Sequence, residues 1–123
     1  MKTAFTSSLA GLALLVACAT PNAAPVAMQS GVLTNADGMT LYVFDKDAAG
    51  SGKSACNGDC ATNWPPLMAT AGDKASGDYS IITRDDGSRQ WAYKGKPLYF
   101  WGKDQKPSDT TGHCVKNVWH AAK

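Results

Sequence analysis

Beyond residue 31 the apolar and polar positions fall into short alternating runs separated by turn-forming clusters, the pattern of antiparallel strands. Val32-Leu33-Thr34, the turn Asn35-Ala36-Asp37-Gly38 and Thr40 to Phe44 predict one hairpin. Tyr79 to Arg84, the turn Asp85-Asp86-Gly87 and Arg89 to Tyr93 predict another, with Asp-Gly as a strong short-turn signal. Lys94-Gly95-Lys96-Pro97 then turns the chain into Leu98 to Trp101, and Val115 to Ala121 is positioned to close the sheet. Asp47 to Asn63 and Gly102 to His113 read as long polar loops. No stretch of this region carries a helical stripe longer than two turns, so the predicted fold is all-β, a small antiparallel domain spanning 31–123.

The domain reads as duplicated. Leu41-Tyr42-Val43-Phe44-Asp45-Lys46-Asp47 is answered 57 residues on by Leu98-Tyr99-Phe100-Trp101-Gly102-Lys103-Asp104, both fitting Leu-Tyr-x-aromatic-x-Lys-Asp. Cys60 precedes Asn63-Trp64, and Cys114 precedes Asn117-Val118-Trp119, so each copy ends in a Cys, a short polar gap and a Trp. The copies span about 32–69 and 79–122, which predicts a pseudo-symmetric pair.

The N-terminus has a different pattern. Residues 1–17 carry one early positive charge, Lys2, and an apolar run from Leu9 to Ala17 with no acid. The run is too short to span a bilayer, which needs about 20 apolar residues, and reads as a secretory signal. Leu15-Val16-Ala17-Cys18 looks like a bacterial lipobox, with cleavage before Cys18 and lipid on its sulfur. Cleavage after Ala19 also satisfies the small-x-small rule. The lipobox is the reading adopted, because it gives a lone Cys at the end of the apolar run a role. Residues 18–30 contain two prolines and no hydrophobic period, so they read as the lipidated Cys and an extended tether, whose last 12 residues reach roughly 35 Å.

Composition narrows the function classes. Twelve Lys and Arg stand against ten acids, a net charge of +2 with no dense basic block, so there is no electrostatic footprint for nucleic acid. All ten acids are Asp, a turn former, and none is the helix-forming Glu. Four of the eight leucines lie in the signal, so the core is expected to be built largely from Trp, Tyr and Phe, and a small core of that kind calls for a staple.

The paired motifs resemble a bacterial family described as a secreted repeat of unknown function, predicted lipoproteins with a Tyr-x-[Phe/Trp/Tyr]-x-x-Asp motif. Tyr42, Phe44 and Asp47 satisfy it in the first copy, and Tyr99, Trp101 and Asp104 in the second. The similarity extends over Asn63-Trp64-Pro65-Pro66-Leu67, Trp91 to Tyr99 and Val118-Trp119-His120. Gly112-His113-Cys114 departs from it, in a segment where the family more often looks Gly- and Asp-rich. The resemblance implies an exported, often lipid-anchored repeat domain, and it supplies no catalytic residues.

Candidate chemistry is sparse. Ala49-Gly50-Ser51-Gly52-Lys53-Ser54 imitates a phosphate loop, but the required first Gly falls on Asp47, so nucleotide is not an expected partner. Asp45, Asp47 and Gly50 begin like a calcium loop that lacks its bidentate Glu, since Cys56 occupies that position. Cys56 and Cys60, spaced C-x3-C in an exported chain, are expected to form a structural disulfide. His113, Cys114 and His120 are the remaining strong metal-ligand types, with His120 on the strand face opposite Trp119. No cofactor or metal is assigned to them, no Ser/His/Asp arrangement is evident, and the chain is not expected to be an enzyme. The motif Tyr and Asp are expected to be architectural. The protein therefore reads as a lipid-anchored envelope module, with the membrane as partner through its lipid and an unspecified protein or glycan as ligand. The alternative is a periplasmic metal-binding or redox accessory protein using Cys and His.

Overall fold

The computed structural model describes residues 24–123, so residues 1–17, read as a signal, and Cys18, read as the lipidation site, lie outside the described residues. Seven short strands form three small antiparallel sheets: β1 (Val26–Gln29) with β2 (Val32–Asn35), β3 (Tyr42–Phe44) with β7 (Trp119–Ala121), and β4 (Tyr79–Thr83), β5 (Arg89–Tyr93) and β6 (Lys96–Pro97) in that order. One short helix, α1 (Asp59–Asn63), interrupts the first polar loop. The all-β, antiparallel reading is correct, and so is its division into two copies.

The strand β1 was not expected, because Val26–Gln29 read as the end of the tether. Its side chains are half-buried or exposed, so it carries little hydrophobic pattern. It exists through its backbone ladder to β2, closed by a two-residue turn in which Ser30 and Gly31 both take positive φ, as a tight hairpin requires. Other elements also differ from expectation: Lys96–Pro97, expected within a turn, forms β6, and α1 lies in a segment expected as loop. Val115–Asn117 is a 3-10 turn, leaving only Trp119–Ala121 as the closing strand. After Thr40 pairs with Thr34, Tyr42–Phe44 leaves the first hairpin to pair with β7.

The duplication is written into the backbone as two closed triangles of hydrogen bonds. In the first, Leu33 N–H donates to Ala122, Ala122 N–H to Leu41 and Leu41 N–H to Leu33, at 2.8, 2.8 and 2.9 Å. In the second, Trp91 N–H donates to Leu67, Leu67 N–H to Leu98 and Leu98 N–H to Trp91, at 2.8, 2.9 and 3.0 Å. Each triangle joins two segments of one copy to the C-terminal segment of the other. The copies have exchanged their C-terminal segments, so neither closes its own fold. Where they meet, Tyr42 and Tyr99 exchange backbone bonds of 2.8 and 2.9 Å.

These six triangle residues are also the buried residues of one hydrophobic cluster, which holds every leucine of the described chain. The expectation of a mainly aromatic core is thus half right. Aliphatic burial fastens the three-strand junctions, and a second cluster of Tyr42, Trp64, Tyr99, Trp119, Cys56 and Ala121 fills the space between the copies.

Candidate functional site

The motif residues meet across the two copies. Tyr42 Oη donates to Asp104 Oδ2 at 2.7 Å, and Tyr99 Oη donates to Asp47 Oδ2 at 2.5 Å. Each carboxylate also fixes its own loop: Asp47 Oδ1 accepts from the Ala55 amide at 2.6 Å, and Asp104 Oδ1 from the Thr111 amide at 3.0 Å and the Thr111 hydroxyl at 2.5 Å. Both tyrosines are fully buried and both aspartates nearly so. Burial, reinforced by the neighbouring carboxylates, raises both phenol pKa values well above their ordinary range. Burial also pushes Asp47 up, against the lowering effect of the Ala55 amide, the Tyr99 hydroxyl and the Arg84 charge.

The motif aromatics Phe44 and Trp101 end a palindromic stack. Phe44, Trp119, Trp64 and Trp101 lie face to face in that order, with centroid separations of 4.2, 3.8 and 3.9 Å. Tyr42 meets Trp64 edge-on, and Tyr99 meets Trp119 in the same way. The two edge contacts are each worth about 0.5–1.5 kcal/mol beyond area burial. The faces of Trp64 and Trp119 are therefore occupied by other rings, which leaves them no platform for a sugar. A groove of about 400 Å³ runs beside the stack, lined in part by Lys46, Asn63, Trp101 and Lys116.

Sequence reasoning missed Arg84, which is 5% exposed. Its guanidinium donates to Ser54 Oγ, Gln90 Oε1 and the Cys56 carbonyl at 3.0, 2.7 and 2.5 Å, and Ser54 Oγ lies 2.6 Å from Tyr99 Oη. A charged network thus backs the Tyr99–Asp47 pair, while the Tyr42–Asp104 pair is supported by Thr111 and by the Gly112 amide, which donates to Tyr42 Oη at 3.1 Å. Nothing in an Arg at a strand end marks it as buried. Ser54, the last residue of the phosphate-loop imitation, points into this network. The calcium-like pair also separates, since Asp45 reaches His120 and Asp47 reaches Tyr99.

Cys56 and Cys60 are joined by a disulfide, with Cα atoms 5.2 Å apart, and Cys114 is free and exposed. The structure brings Cys114 together with His113 and His120: one ligand atom from each lies within 4.8 Å of the others. Trp119 is buried and His120 half-exposed, as strand alternation required. His120 Nε2 lies 2.8 Å from Asp45 Oδ2, and the Ala121 amide donates to His113 Nδ1 at 3.0 Å.

Among the described residues no helix is long and apolar enough to cross a membrane. No curated protein and no solved structure gives a significant match to the chain. The family profile described as "Secreted repeat of unknown function" matches twice, over residues 26–68 and 80–123, in register with the two copies that the backbone triangles define. The chain belongs to that family of exported proteins, and it carries two of the repeats.

Proposed function

We propose that the protein is a lipid-anchored, non-enzymatic binding module of the bacterial envelope, held to the membrane through Cys18 and displaying its β domain to a protein, glycan or small ligand. The observation that carries this reading is the reciprocal use of the motifs. Their hydroxyls and carboxylates are committed to each other across the copies, so the residues that define the repeat build a rigid body and its function falls to the surface around it. The lipobox supports the anchor. Only residues 19–25 separate Cys18 from β1, a span of at most roughly 25 Å when fully extended, so the domain is held near the bilayer surface. Neither nucleic acid nor nucleotide belongs in this reading.

Fractionation of cells producing Cys18→Ser tests the anchor. The wild-type chain should sediment with membranes and the variant should become soluble, because stable attachment needs more than one acyl chain on the modified cysteine. Equal membrane retention of both would remove it.

A further inference from the structure

We propose that His113, Cys114 and His120 bind one thiophilic transition-metal ion, copper(I) or zinc(II). This gives the binding module a ligand and rests on that reading. A thiolate with two imidazoles is a donor set suited to these two ions among the common biological metals. Three protein ligands leave a fourth position open on zinc.

Several independent features converge on the cluster. The three donors come from two segments, and the Cys114 amide, donating to Trp119 O at 2.7 Å, holds the first segment against the start of β7. Cys114 itself sits at φ 71°, Lys116 at φ 52° and Asn117 at φ 58°, left-handed conformations that favour glycine and that this loop maintains in three non-glycine residues. Asp45 accepts from His120 Nε2, an arrangement in which a carboxylate fixes the ring and leaves Nδ1 as the nitrogen for a metal. The first copy closes its corresponding loop with the Cys56–Cys60 disulfide. The second copy has no partner for Cys114 among the described residues, and a metal ion would supply the missing clip.

Loading requires small rearrangements. Metal–sulfur and metal–nitrogen bonds of about 2.3 and 2.0 Å place tetrahedral ligand atoms roughly 3.3–3.6 Å apart, so the donors must draw in by up to roughly 1.5 Å. His113 and Cys114 are exposed and His120 is half-exposed, which leaves their side chains room to do so. The Cys114 thiol gives its proton to solvent as the metal–sulfur bond forms. His113 Nδ1 accepts the Ala121 amide in the metal-free chain, so its ring must release that amide on binding.

The test is alkylation of Cys114 in the full-length mature protein, purified in detergent without chelator and kept under inert gas, with zinc(II) in one arm and copper(I) in the other. One equivalent of either ion should protect the thiol, speed hydrogen exchange at the Ala121 amide and raise Tm; the arm that protects at the lower free-ion concentration names the ion. Asp45→Asn should weaken binding by roughly 10–100-fold while leaving all three ligands in place. His120→Gln and Cys114→Ser should abolish stoichiometric binding, and Cys114→Ser, at an exposed position, should keep the Tm of the metal-free wild type. No protection in either arm, or one equivalent bound equally well by Cys114→Ser, would overturn the proposal. Anchoring is read at Cys18 and metal at Cys114, so the two readings fail separately.

Discussion

Tyr42 donates its phenolic hydrogen to Asp104, a residue of the other copy 62 positions away, and Tyr99 donates to Asp47 across the same boundary. The Tyr and Asp of one motif are thus never partners, although only four residues separate them. Each motif is half of two cross-copy locks, and a single repeat would leave its tyrosine hydroxyl without its carboxylate acceptor and its carboxylate with only the donors of its own loop. That explains physically why the unit occurs as a pair in this chain. The exchanged C-terminal strands enforce the same dependence through the backbone.

The locks make stability sensitive to alkali. Both phenols have folded pKa values raised above the ordinary 10.0, chiefly by burial and then by hydrogen bonding to Asp104 or Asp47. Above pH 10 the unfolded chain loses these protons while the folded chain keeps them. Stability is therefore fully present below about pH 10 and falls as pH rises, by up to about 1.4 kcal/mol per pH unit for each tyrosine. Denaturant titrations between pH 9 and 12 should show a steeper fall for the wild type than for Tyr42→Phe or Tyr99→Phe.

Gly112 is required by packing. A Cβ at this position would lie 2.9 Å from Trp101 Cγ and 2.9 Å from Trp64 Cη2, inside the aromatic stack, with no flexible side chain to yield. Gly112→Ala should cost about 1–3 kcal/mol, read as a lowered denaturation midpoint, and should perturb the near-ultraviolet circular dichroism of the tryptophans. An unchanged spectrum would contradict the ring geometry.

Thiol counting checks the cysteine assignments. With Cys56 bonded to Cys60, and with Cys18 lipidated as proposed, intact-mass labelling of the mature monomer after chelator treatment should find one reactive thiol, Cys114. The disulfide closes a very short loop and restrains the unfolded chain little. Its reduction should loosen the Ser54–Cys60 segment, whose Cys56 carbonyl receives Arg84, more than it lowers global stability.

The sequence made the duplication legible, because the Leu-Tyr-x-aromatic-x-Lys-Asp strings are local and their alternation marks Tyr42 and Phe44, or Tyr99 and Trp101, as core-facing. The disulfide followed from spacing and compartment. Which copy completes which was hidden, since Trp119–Ala121 has the same local preferences whether it pairs within its own repeat or with β3. Strand β1 was hidden because backbone bonds, not buried side chains, hold it. Arg84 was hidden because its burial depends on acceptors of Ser54, Cys56 and Asn57, brought from a distant segment to join Gln90 of the same hairpin. The His113–Cys114–His120 cluster was nameable from residue types, but its convergence depends on the left-handed turn at Cys114.

The central claim is that the motif is a cross-copy structural lock, and a pair of double-mutant cycles tests it most directly. Asp47→Ala and Asp104→Ala should each cost about 1–3 kcal/mol by leaving buried donors unmatched. In urea unfolding, Tyr42→Phe combined with Asp104→Ala should show a coupling of about 0.5–3 kcal/mol, as should Tyr99→Phe with Asp47→Ala. The same-copy combinations, Tyr42 with Asp47 and Tyr99 with Asp104, should be additive within about 0.5 kcal/mol. Wild-type stability in the aspartate variants, or coupling within a copy in place of coupling between copies, would contradict the account.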